Sequence, residues 1–76
     1  MFVAFQCSHG QFYELVGRFT MGASLTVEKS YSGDTQFVSQ TWRMGYRHAG
    51  WAFFDGPEVF VNILQALGYE PTDLPF

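Results

Sequence analysis

The chain has 76 residues, a formal net charge of −3 at pH 7, and 20% aromatic residues against 14% charged ones. This length has room for one domain with one hydrophobic core, and no apolar run is long enough to predict a membrane-spanning helix. The single cysteine excludes an internal disulfide, and the acidic balance disfavours a general nucleic-acid-binding protein, which is normally basic. With no signal-peptide pattern at the N-terminus, we expect a cytoplasmic protein, in the host cytoplasm if a phage encodes it.

The first predicted elements are a strand and a helix. Residues 2–7 predict a short buried strand. Ser8 and Gln11 then have the spacing of a capping box. The apolar residues that follow keep helical spacing: Phe12, Leu15, Val16 and Phe19. A strand over 11–19 remains an alternative to the short helix, because periodicity separates the two poorly in short apolar runs.

Two runs of β-forming residues in the middle of the chain predict an antiparallel hairpin. Over 23–31, Leu25 and Val27 alternate with polar residues, as in a strand with one face on a core. Residues 32–34, Ser-Gly-Asp, have turn chemistry, and β-formers resume over 35–46. The alternation places Val38, Trp42, Met44 and Tyr46 on one face of this strand, and Phe37, Ser39, Thr41 and Arg43 on the other.

The strongest helical signal follows a short predicted strand over 51–54. Asp55 is predicted as the N-cap, with Glu58 three residues later. Gly68 supplies a left-handed stop, so the helix is predicted over 56–67. Its core-facing stripe is Phe60, Ile63, Leu64 and Leu67.

Together these elements predict an α+β fold of two layers. An antiparallel β-meander of three to four strands is covered on one face by the C-terminal helix, the N-terminal strand joins the sheet, and a short N-terminal helix is an additional element. Residues 1–70 make a single compact domain in this prediction, and 71–76 a C-terminal tail. The predicted core consists of Phe5, Leu15, Leu25, Val27, Val38, Trp42, Met44, Phe53, Phe60, Ile63, Leu64 and Leu67.

No residue pattern in the chain predicts catalysis. Cys7, His9 and His48 are its only thiol and imidazole groups, and a Cys-x-His spacing alone is a weak sign of a metal site. The sequence also lacks a phosphate-binding loop and a nucleophile elbow. We therefore expect no enzymatic activity, no cofactor and no bound metal.

Cations and aromatic residues alternate over residues 42–51, a composition typical of binding surfaces. Arginine and aromatic side chains are enriched at protein-interface hot spots, and they can also stack bases and hold phosphates. Residues 49–76 contain four acidic residues and no lysine or arginine, a distribution that can speed association with a basic groove. The residues predicted to contact a partner are Tyr31, Phe37, Arg43, Tyr46, Arg47, Trp51, Asp55, Glu58, Glu70 and Asp73. Val59 and Val61 flank the helical stripe and are predicted to mediate self-association.

The expected function is that of a non-enzymatic protein-binding module. Size and composition favour a small stoichiometric inhibitor of a larger host complex with a basic nucleic-acid-binding groove, of the kind that phages and mobile elements direct against CRISPR effectors. One alternative is a small single-stranded nucleic-acid-binding domain that uses Trp42, Arg43, Tyr46, Arg47 and Trp51. The other is a homo-oligomeric structural or virion subunit, for which a homodimer is the simplest form.

Overall fold

An antiparallel sheet and two helices form the structure, a computed structural model that describes residues 1–20, 26–29, 35–48 and 50–73. In chain order the elements are β1 (Phe2–Gln6), α1 (His9–Thr20), β2 (Thr26–Lys29), β3 (Thr35–Val38), β4 (Arg43–His48), β5 (Trp51–Asp55) and α2 (Glu58–Ala66). The predicted α+β fold is confirmed. Leu25, Tyr31 and the predicted turn over 32–34 lie outside the described residues.

The described strands pair in the order β1-β5-β4-β3-β2. Strands β2 to β5 are neighbours in chain order, which is the predicted meander, and β1 joins it by pairing with β5. On the outer edge of β1, the Ala4 amide donates to the Thr72 carbonyl at 2.9 Å and the Thr72 amide donates to the Ala4 carbonyl at 2.8 Å. The predicted tail therefore extends the sheet at Thr72; residues 74–76 lie outside the described part.

The single strand predicted over 35–46 is wrong, because the chain turns between β3 and β4. The Ser39 amide donates to the Trp42 carbonyl at 2.9 Å, and the Ser39 hydroxyl accepts from the Trp42 amide at 3.0 Å. A serine hydroxyl that bonds nearby backbone stabilises a turn without Gly or Pro. The turn pairs Phe37 with Met44, so Phe37 lies on the core face and not on the predicted polar face.

Helix α1 forms as its capping pattern predicts. The Ser8 amide donates to Gln11 Oε1 at 2.7 Å, and the Gln11 amide donates to Ser8 Oγ at 3.1 Å, so two backbone N–H groups at the helix start are satisfied reciprocally. The buried side chains are the four predicted ones, Phe12, Leu15, Val16 and Phe19. The alternative strand over 11–19 is thereby excluded.

Helix α2 begins later than predicted and has a different cap. Asp55 is the last residue of β5, and Pro57 takes the N-cap position with no side-chain hydrogen bond, so the predicted Asp55 cap is wrong. Proline suits a helix start because it has no N–H to satisfy there. The end of α2 agrees with the prediction, since Gly68 has a φ of +97° and its amide donates to the Gln65 carbonyl.

Both helices contribute to one core on one face of the sheet. Phe19 of α1, Phe54 of β5 and Phe60 of α2 contact one another, with ring centroids 5.2 to 6.0 Å apart. The buried core is Val3, Phe5, Cys7, Phe12, Leu15, Val16, Phe19, Trp42, Met44, Ala52, Phe54, Val61 and Leu64. The helical layer thus includes α1 as well as the predicted C-terminal helix.

Helix α2 is rotated relative to its predicted orientation. Val61 and Leu64 are 4% and 0% exposed, whereas Ile63 and Leu67, both predicted in the core, are 40% and 43% exposed. Residues three apart on a helix share a face, so Val61 and Leu64 define the buried one. Val61, which was predicted to mediate self-association, is therefore buried in the core. Val59, predicted for the same role, is 58% exposed.

Gly56 lies too close to the core to carry a side chain, which gives a stability test. An added Cβ would lie 2.7 Å from Trp42 Cβ and 2.8 Å from Phe54 Cζ. Because both neighbours are buried, we expect Gly56→Ala to lower the free energy of unfolding by about 1–3 kcal/mol in urea denaturation. Gly17→Ala is the control: in α1 no atom outside the helix backbone lies within 4 Å of the added Cβ. This control should raise stability by about 0.5–1 kcal/mol, and equal effects of the two would contradict the packing.

Candidate interaction surface

The sheet has a second face, on which no helix packs among the described residues. Ala52 and Phe54 of β5 are fully buried, so the alternating Trp51 and Phe53 point away from the core. The strand register brings further side chains to the same side. We call this surface the open face; its members are Phe2, Val38, Arg43, Trp51, Phe53 and Asp55.

Two stacked rings form one apolar part of the open face. Phe53 lies over Gly45 of the neighbouring strand, where an added Cβ would lie 2.6 Å from Phe53 Cζ. The missing side chain of Gly45 therefore leaves the space that the ring fills. Phe2 stacks on Phe53 with centroids 5.4 Å apart and planes 6° apart, and Phe2 is 36% exposed.

Phe2 and Phe53 were not among the predicted partner residues, and the prediction that Phe53 is a core residue is wrong. The phase of the alternation in β5 decides this, because a shift by one residue moves every side chain to the other face. The small residue Gly45 was the available signal, because a glycine opposite Phe53 marks where a ring can lie flat over the neighbouring strand.

One row of four residues crosses the open face near the β3–β4 turn. Val38 pairs with Arg43, Arg43 with Asp55, and Asp55 with Phe2, so the order is apolar, cation, anion, apolar. Arg43 and Asp55 are exposed, and among the described residues they form no ion pair with each other. A shallow cleft of about 440 Å³ lies beside them, lined by Val38, Ser39, Thr41, Trp42, Arg43, Asp55 and Gly56.

The other predicted partner residues come from several parts of the structure. Arg47 is exposed at a bulge of β4, between Tyr46 and His48. Glu58 is exposed in the first turn of α2, where a carboxylate interacts favourably with the helix dipole. Glu70 and Asp73 are exposed in the segment that pairs with β1. Of the acidic residues predicted to contact a partner, only Asp55 lies in a strand that contributes to the open face.

Tyr46 and Phe37, both predicted to contact a partner, pack against the core. The Tyr46 hydroxyl accepts a hydrogen bond from the Gly50 amide at 2.6 Å and donates one to the Cys7 carbonyl at 3.3 Å. The rings of Tyr46 and Phe37 lie 5.6 and 5.8 Å from that of Phe12. Tyr46 thus joins the turn before β5 to the end of β1, which is an internal role.

The hydroxyl of Tyr46 offers a test of that role. Tyr46→Phe removes both hydrogen bonds, and we expect the free energy of unfolding to fall by about 1–2 kcal/mol in urea denaturation. Tyr13→Phe is the matched control, because Tyr13 is 44% exposed and lies in α1. If the two variants were equally stable, the internal role of Tyr46 would be contradicted.

The thiol of Cys7 is buried and belongs to no cluster of metal-binding side chains in the described part of the chain. Among the described residues there is no group of three or more His, Cys, Asp or Glu side chains placed to hold a metal ion. Cys7 is 5% exposed, and burial raises the pKa of its thiol from 9.0 to about 11. The thiol is therefore protonated at neutral pH and a poor nucleophile.

The raised pKa of Cys7 predicts a pH dependence of stability. As the pH rises, the unfolded chain releases the thiol proton near pH 9.0, before the folded chain does. The contribution of the protonated thiol to the free energy of unfolding is therefore present in full below pH 9.0 and is lost as the pH rises to about 11. Over this range the free energy of unfolding should fall more steeply for the wild type than for Cys7→Ala, as measured by urea denaturation. Parallel pH profiles of the two chains would show that the thiol does not contribute.

Comparisons of this chain with protein-family models, with characterised proteins and with solved structures find no match. Neither helix of the described part is long and apolar enough to cross a membrane. The role of the open face is therefore inferred from its own residues.

Proposed function

We propose that this chain is a non-enzymatic protein-binding module that acts as a small stoichiometric inhibitor of a larger complex. The observation that carries the proposal is the open face, where the stacked rings of Phe2 and Phe53 lie beside exposed charges of Arg43 and Asp55. Aromatic side chains and arginine are enriched at protein interfaces.

The energetic role of each group follows from its chemistry. Phe2 and Phe53 offer large apolar area whose conformation is already fixed by stacking and by the space over Gly45, so little entropy is lost on binding. Arg43 adds a planar cation that can pair with a carboxylate or stack on an aromatic ring. Rigid aromatic groups beside an arginine are typical of the residues that dominate binding energy.

Inhibition of a complex with a basic groove is the finer part of the proposal, and charge supports it. The net charge of −3 favours approach to a positive surface. Asp55 brings one negative charge to the open face, and the exposed Glu58 follows it by three residues at the start of α2. The proposed class of inhibitor is the one that phages and mobile elements use to block CRISPR effectors.

Single-stranded nucleic acid is the second candidate ligand. Parallel rings beside an arginine on an open sheet can stack a base and hold a phosphate. Against this reading stand the negative net charge and the presence of Asp55 directly opposite Arg43. A titration of tryptophan fluorescence with short oligonucleotides at low salt separates the candidates, since Trp51 lies on the open face; an unchanged signal removes the nucleic acid.

A binding experiment tests the proposed surface. The tagged chain is used to capture its partner complex from host lysate, and the affinity of the purified pair is then measured. We expect Phe53→Ala and Arg43→Ala each to weaken binding by about tenfold or more, as at interface hot spots. Arg18→Ala is the matched control, because Arg18 is an exposed arginine of α1 that pairs with Glu14 at 3.3 Å. Wild-type affinity in both open-face variants would refute the assignment.

A further inference from the structure

We infer that the open face also binds a second copy of this chain, in a twofold-symmetric dimer whose sheets pack face to face. This inference goes beyond the proposed function, because it concerns the free protein before any partner is met. It rests on the order of side chains across the sheet.

The row near the β3–β4 turn is complementary to itself. Val38, Arg43, Asp55 and Phe2 follow one another on β3, β4, β5 and β1. A twofold axis parallel to the strands, between β4 and β5, places β4 of one copy over β5 of the other. Each Arg43 then meets the partner's Asp55, and each Phe2 meets the partner's Val38. A twofold interface needs this kind of self-complementarity, in which residue i contacts j and j contacts i.

The neighbouring row contributes apolar surface under the same axis. Phe53 of β5 lies over Gly45 of its own chain, so the axis brings the Phe53 rings of the two copies together near the centre of the interface. Sheets that pack in this aligned way lie about 10 Å apart with side chains interdigitating between them.

Charge is the reason to assign a second copy as the occupant. Arg43 and Asp55 lie directly opposite each other in the register, are both exposed, and form no ion pair within their own described chain. In a dimer related by the axis, the Arg43 side chain of each copy pairs with the partner's Asp55, so two ion pairs form. The exposed apolar stripe along α2 consists of Val59, Ile63 and Leu67. It contains no pair of opposite charges that would fix the orientation of a second copy.

A charge-exchange experiment tests the dimer with the full chain. Sedimentation equilibrium up to about 1 mM should show a wild-type dimer, since weak homodimers dissociate in this concentration range. Arg43→Asp places two pairs of carboxylates across the axis, and Asp55→Arg places two pairs of guanidinium groups there. Each variant alone should dimerise at least about tenfold more weakly. An equimolar mixture of the two restores both attractive pairs and should form a one-to-one heterodimer with near wild-type affinity.

The control is Glu14→Arg, which makes the same charge change as Asp55→Arg at an exposed site of α1, a helix on the core side of the sheet, and should leave the dimer intact. Circular dichroism confirms that each variant folds, and the heterodimer itself is a further check because misfolded chains do not assemble one to one. A wild-type chain that is monomeric throughout, or a mixture that stays monomeric, overturns the inference. Either result leaves the partner-capture experiment unaffected, so the dimer and the proposed function fail separately.

Discussion

The mutual contact of Phe19, Phe54 and Phe60 ties both helices to the same face of the sheet. A chain of 76 residues can build one core, and the core of the described residues lies on the side of the sheet that the helices cover. With the helices placed there, the period of two along each strand decides which side chain is buried and which lies on the open face. The surface proposed for binding is thus a direct consequence of where the core forms.

Local signals were sufficient for part of the fold. Helix α1 was predictable because the Ser8–Gln11 cap and its apolar stripe lie within a few residues of one another. The β3–β4 turn was not, since its determinant is the Ser39 hydroxyl inside a run of β-forming residues. The rotation of α2 was not predictable either. Apolar residues nearly encircle this helix, so its packing through Phe60 selects the buried side.

The open face depends on contacts that are distant in sequence. Phe2 and Asp55 are far apart in the sequence and become neighbours only through the pairing of β1 with β5. A partner contact by arginine and aromatic residues stays a prediction, and of the residues predicted for it Arg43 and Trp51 lie on the open face. Composition did not indicate which further rings lie there, because a shift of one residue along the strand exchanges Phe53 for Phe54. If one face serves both a second copy and a partner, the two ligands compete, and binding of the partner requires dissociation of the dimer.

The bridge between Ala4 and Thr72 has a consequence for how copies of the chain can assemble. It occupies the outward-facing amide and carbonyl in the middle of β1, where an unpaired edge would offer a template for another strand. Head-to-tail strand addition at such an edge can extend a sheet from molecule to molecule, whereas association through a face about a twofold axis stops at two. The short segment after α2 thereby blocks strand addition at the middle of β1.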